Sequence, residues 1–209
     1  TITKSAEGRG LFKKQTGGRG QYGEAIITLE PNVKGAGVEI ENKIVGGVIP
    51  REYIPAVQNG IEETVRSGVL AGYEMIDLKI AIVDGSYHEV DSSELAFKMA
   101  GIFAFKKAVA NAKPILLEPM MKVEVTTPDD YQGDLIGDMN RRRGEVQGID
   151  SKTSGTVITA KIPLASLFGY ATDIRSLSSG RASYSMEPDT FVPVPLSIAE
   201  EILDKSGKR

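Results

Sequence analysis

The chain has 209 residues, 41% of them hydrophobic, which allows one or two ordinary domains with real cores. Its formal charge of −3 excludes a protein that holds nucleic acid by bulk charge, so any RNA contact has to be local. It has no cysteine and one histidine, which removes a disulfide framework and a thiolate metal site, and it contains no apolar run of membrane-spanning or signal-peptide type.

In chain order, Thr1 in place of a methionine predicts a piece of a longer protein. The first clear signal is the loop Gln15-Thr16-Gly17-Gly18-Arg19-Gly20-Gln21-Tyr22-Gly23. Its glycines let another backbone come close, and its N–H groups can face an acceptor-rich partner; as a plain hairpin tip it would only turn the chain. Ala25, Ile27 and Leu29 alternate with Ile26, Thr28 and Glu30, and Val38 and Ile40 alternate with Glu39 and Glu41, so two strands follow. Ile54, Val57, Ile61 and Val65 sit at helical spacing after Pro50, with Ser67-Gly68 as the stop. Residues 76–83 read as the longest strand, delivering the loop Asp84-Gly85-Ser86-Tyr87-His88-Glu89-Val90-Asp91. Asp91 and Ser92 are the expected caps of the next helix, with Glu94 completing a capping box. That helix reads as apolar nearly all round up to Lys106-Lys107, hence buried.

The pattern restarts between Pro114 and Pro119, so a boundary is expected there, giving domains 1–116 and 117–209. Met121, Val123 and Val125 alternate with polar residues. Thr127 is then expected to cap a helix opened by Pro128, with Asp129 and Asp130 in its first turn, Arg141, Arg142 and Arg143 in its last, and Gly144 as its stop. Strands at 145–149 and 156–162, a helix at 164–176 and a closing strand at 181–187 complete a βαββαβ order. A short helix at 195–203 and a frayed end through Gly207, Lys208 and Arg209 finish the chain. The fold class is α+β: an elongated α/β sandwich domain, then a ferredoxin-like one.

The residues offer little covalent chemistry. His88 has Asp84, Glu89, Asp91 and several serines near it, but a triad confined to one loop lacks members held by separate elements. The pattern GxxxxGK[ST] is absent, and Gly18 to Gly23 fits GxGxxG only in front of a strand, the wrong context for dinucleotide binding. RNA contact fits better. Gln15 both donates and accepts, His88 can do either, and Gly17 and Gly18 permit close approach to a ribose-lined minor groove. Tyr87 could stack there, with inward packing favoured. Lys13, Lys14 and Arg19, the triplet Arg141 to Arg143, and Arg175 with Arg181 are the local basic patches.

Six segments carry a resemblance: KQTGGRGQYG (14–23), GGVIPREYIPAV (46–57), DGSYHEVDSSELAFK (84–98), LEPMMKVEV (117–125), GDLIGDMNRRRG (133–144) and FGYATDIRSLSSGRASY (168–184). Together they resemble the fourth and fifth domains of bacterial-type elongation factor G, the translocation GTPase of the ribosome. The resemblance implies a non-enzymatic piece of a GTPase, with GTP and Mg²⁺ handled by a domain outside this chain and no cofactor within it. It implies partners in the ribosome: the small-subunit decoding site with tRNA–mRNA, large-subunit RNA, and the remaining domains of the same factor. A monomer with no membrane association is expected, cytoplasmic or in the organellar equivalent. By the same resemblance Gln15, Thr16, Gly17, Gly18 and Arg19, with Ser86, Tyr87, His88 and Glu89, form a tip entering the aminoacyl site. Tyr170, Asp173, Arg175, Ser176 and Arg181 would face large-subunit RNA, with interdomain packing of Arg175 and Arg181 equally open. A paralogue specialised in recycling or tetracycline protection, or a stand-alone RNA- or protein-binding module, are the alternatives.

Overall fold

The computed structural model describes residues 1–15 and 17–207. The chain divides into two compact units, Thr1–Leu116 together with the segment from Pro195 onward, and Leu117–Val194. Thr16, Lys208 and Arg209, with the expectations attached to them, lie outside the described residues.

In the first unit β1 (Ala6–Lys14), β2 (Gln21–Pro31), β3 (Val38–Asn42) and β4 (Leu78–Ser86) form a sheet of order β1-β2-β4-β3. β1–β2 and β2–β4 are antiparallel, whereas β3–β4 is parallel. A parallel neighbour needs a crossover, and α1 (Ile54–Ser67) supplies it. α2 (Glu94–Asn111) joins it in covering the sheet. Ile27, Leu29, Ile80, Ile82, Val57, Ile61, Phe97 and Phe105 are buried between these layers.

β1 has no counterpart among the strands expected from sequence, because AEGRGLFKK lacks alternating hydrophobic residues. Its inward positions are glycines. A Cβ on Gly10 would stand 2.0 Å from Ala100 O, and one on Gly8 would stand 2.2 Å from Ala104 O. The facing side of α2 carries Ala96, Ala100, Ala104 and Ala108 at four-residue spacing, all buried. Strand and helix therefore meet backbone to backbone, and smallness rather than greasiness is the requirement.

α2 differs from expectation in two further ways. Its cap is Ser93, whose Oγ accepts from Ala96 N at 3.1 Å, not Asp91 or Ser92. It is also not buried all round: Leu95 and Phe103 are exposed, and the helix continues through Lys106 and Lys107.

The second unit holds β5 (Leu117–Thr127), β6 (Glu145–Lys152), β7 (Gly155–Pro163) and β8 (Ser183–Pro193) in the order β6-β7-β5-β8, antiparallel throughout. With α3 (Gln132–Arg141) and α4 (Tyr170–Leu177) this is the ferredoxin-like arrangement. Val123, Val125, Leu135, Met139, Ile158, Ile162 and Ile174 form its core.

Three boundaries move. Pro128 leads into a 3-10 turn, Asp129–Tyr131, and α3 starts only at Gln132; the Thr127 hydroxyl donates to Pro128 O at 3.0 Å instead of capping. α3 is stopped by Arg143, which takes φ +59, rather than by Gly144. A bidentate pair with Glu118, at 2.8 and 3.0 Å, accompanies that uncommon conformation. The 164–176 helix splits into a 3-10 turn, Leu164–Ser166, and α4, with Gly169 between them at φ +72. α5 (Leu196–Lys205) closes the described chain.

Candidate nucleic-acid interface

The β1–β2 turn and the β4–α2 loop emerge at the same end of the first sheet, because β2 pairs with both β1 and β4. A register shift at Ile26/Ile27 bends the end of β4, so Ser86 lies opposite Glu24. The loops are then fastened to each other. Tyr22 N donates to Asp91 O at 2.9 Å, Gly20 N to Asp91 Oδ1 at 3.1 Å, and Arg19 Nε to Val90 O at 2.9 Å. The Ser92 hydroxyl accepts from His88 N at 2.9 Å and donates to Tyr22 O at 3.0 Å. Asp91 and Ser92, expected as caps, are the fasteners. The signal was present: Ser93 suffices as cap, which leaves the two residues before it free for other work.

Beneath the clasp runs a polar chain. Ser86 Oγ donates to Glu24 Oε1 at 3.1 Å, so the Tyr22 hydroxyl donates to Ser86 at 2.7 Å, and Arg9 Nε closes on Glu24 Oε2 at 2.6 Å. Ser86 thus supports the tip, its hydroxyl already engaged. Gln15, Gly17, Gly18, Arg19, Tyr87, His88 and Glu89 are exposed. Tyr87, at 46% exposure, does not pack inward as favoured from sequence. Gly17 has φ +47 and open space where a Cβ would stand.

His88 has a defined orientation. Its Nδ1 accepts from the backbone N–H of Val90 and of Asp91, both at 3.3 Å, with Asp91 Oδ2 3.7 Å away. An accepting Nδ1 leaves the ring proton on Nε2. The half-exposed ring therefore carries an Nε2–H donor. The ring lies 6.3 Å from that of Tyr22.

In the second unit the predicted residues separate. Tyr170 is 2% exposed, which removes it from direct RNA contact. Its ring lies under the Arg142 guanidinium, 4.9 Å from centroid to Cζ, and edge-on to Tyr184. Burial, seconded by the Asp138 charge, pushes its phenol up to about 12, against an opposing pull from Arg142. Asp173 pairs with Arg142. Arg175, Ser176 and Arg181 are all exposed, the first two on α4 and Arg181 beyond its end. Arg142 also bonds Asp138 at 2.9 Å and Ser166 O at 2.7 Å, while Arg141 pairs with Asp138 and Arg143 with Glu118. The arginine triplet, which the sequence places at the dipole-complementing end of its helix, is thus paired with carboxylates of its own unit. The exposed Phe168 was not singled out, since one aromatic beside a glycine carries no periodic signal.

No helix among the described residues is long and apolar enough to cross a membrane. The family profile described as elongation factor G, domain IV, matches residues 1–113, and that described as elongation factor G C-terminus matches residues 115–202. Among solved structures, a crystal structure of a protein from Thermus thermophilus superposes with a TM-score of 0.86 at 41% identity, covering 99% of this chain and 31% of that one. The present chain thus spans about a third of the length of that relative. With both units matched, the clasped tip on the first and the ferredoxin-like topology of the second, this chain belongs to the elongation factor G family of translation factors.

Proposed function

We propose that this chain is the ribosome-engaging part of a translocation factor, and that its tip enters the small-subunit aminoacyl site. The observation that carries the reading is the welded pair of loops: a preorganised end presenting Gln15, Gly17, Gly18, Arg19, Tyr87, His88 and Glu89, with the half-exposed His88 ring held through its Nδ1. Preorganised donors replace contacts that a decoding site makes with the codon–anticodon minor groove, which frees tRNA–mRNA to move; the occupied site then blocks return. The step is steric and hydrogen-bonding, with no bond made or broken by this chain. GTP hydrolysis with Mg²⁺ belongs to a domain outside it, and the factor works as a cytoplasmic monomer.

The test is His88→Ala in the complete factor, following tRNA movement and phosphate release separately. One lost hydrogen bond, at about 1 kcal/mol, slows movement several-fold to about tenfold. Phosphate release stays near wild type, because the tip does not touch the nucleotide. Equal impairment of both steps, or of neither, sinks the decoding-site role.

A further inference from the structure

The β3 edge of the first sheet takes no part in the tip. β3 is the last strand in the order β1-β2-β4-β3, so one of its edges has no neighbouring strand. Leu78 N donates to Gly37 O at 3.1 Å and Lys43 N to Ile82 O at 2.9 Å, which fixes the parity of the parallel β3–β4 ladder. Glu39 and Glu41 therefore bond to β4, and the backbone N–H and C=O groups of Val38, Ile40 and Asn42 face the free edge. Such an edge is a template for one more strand.

The two sides of that edge select the strand. Toward the helices, Val38 and Ile40 are half-buried and border a groove of about 450 Å³, lined also by Val65 of α1 and by Met75 and Ile76. Glu62 and Glu74 share that groove with Arg66. Toward the open face of the sheet, Glu39 and Glu41 alternate with the two apolar residues, and Glu30 of β2 lies across Lys79 from Glu39. Of these five carboxylates only Glu41 has an ion pair among the described residues, with Lys43 at 3.7 Å. Carboxylates on both sides of the edge repel the phosphates of RNA. They also oppose a second copy of this chain, whose own Glu39 and Glu41 would come against them.

We propose that the β3 edge is a docking site for an extended segment of a partner protein in which apolar and basic residues alternate. The segment adds to the sheet as a fifth strand. Its apolar side chains enter the groove beside Val38 and Ile40, and its lysines or arginines meet Glu39 and Glu41. The inference is independent of the decoding-site reading, since β3 contributes no residue to the tip.

For the test, the 209-residue chain is titrated with a short capped peptide of alternating valine and lysine, and amide exchange is followed residue by residue. The expected result is slowed exchange at Val38, Ile40 and Asn42, with Glu39 and Glu41, already bonded to β4, unchanged. N-methylating every second residue of the peptide removes binding in one frame and keeps it in the other, because only one set of its N–H groups can face β3. Replacing the lysines by glutamates, or gathering the valines at one end, removes binding. Glu39→Gln with Glu41→Gln, both at exposed positions, weakens it about two- to tenfold and flattens its salt dependence. Protection that does not alternate along β3, equal loss in both methylation frames, binding of the glutamate peptide, or an unaltered affinity of the double glutamine variant overturns the proposal. So does self-association of the chain through β3, or slowed exchange at the same amides when an RNA oligonucleotide replaces the peptide. The tip reading is judged separately by the His88→Ala kinetics, so either can fail without the other.

Discussion

At the tip of the first unit, exposed loops are held by short hydrogen bonds, most with a backbone partner, from Asp91, Ser92, Gly20 and Tyr22. At the α4 end of the second unit, the Phe168 loop is held by one arginine buried among two carboxylates, two carbonyls and an aromatic face. Distributed bonds fail gracefully, since losing one leaves the others in place. A charge hub fails all at once, since removing the cation strands a buried anion. The first arrangement suits a tip whose outward groups are polar; the second concentrates rigidity under a single aromatic side chain.

Arg142→Ala breaks the comparison most severely. Asp138, whose side chain is 2% exposed, keeps only the exposed Arg141 as a charge partner, and a loss of about 3–5 kcal/mol is expected in denaturant unfolding of the second unit. A loss below about 1 kcal/mol would mean that the hub is not a hub. Gly10→Ala comes next: its Cβ would overlap Ala100 O, and overpacking of about 1–3 kcal/mol is expected, visible as a lowered Tm of the first unit. Ser92→Ala removes two hydrogen bonds at a buried site for about 1–2 kcal/mol, and sharpens the contrast if amide exchange rises in both tip loops while α2 stays protected.

Tyr170→Phe has the smallest effect at neutral pH. The Tyr170 hydroxyl is buried with no hydrogen-bond partner among the described residues, so its removal should be neutral to slightly stabilising, within about 1 kcal/mol. Its signature lies in alkali. The folded-state pKa, about 12, is above the unfolded value, so the folded state retains its proton longer. Stability is therefore full below about pH 10 and falls as pH rises toward 12, by roughly 2–3 kcal/mol in all. The phenylalanine variant should lose that part of the alkaline decline; a parallel decline in both proteins would place its cause elsewhere.

Regular alternation made β2, β3, β5 and β7 legible in the sequence, and helical spacing did the same for α1, because burial on one face imposes a period that side chains must obey. The two tip loops were legible too, as glycine-rich and histidine-bearing interruptions between those elements, and so was the βαββαβ order of the second unit. What stayed hidden depends on partners distant in the chain. β1 is a strand because Gly8 and Gly10 fit against alanines about ninety residues on, a condition no local window contains. Arg143, not Gly144, takes the left-handed turn alongside its pairing with Glu118. Asp91 and Ser92 left the cap to Ser93 and bonded across to the other loop. Tyr170 turned inward under Arg142, while Phe168, two residues earlier, was left outside. Periodicity and turn chemistry are written along the chain, whereas close approach, charge pairing and the inward or outward sense of a loop residue are settled only when separate elements meet.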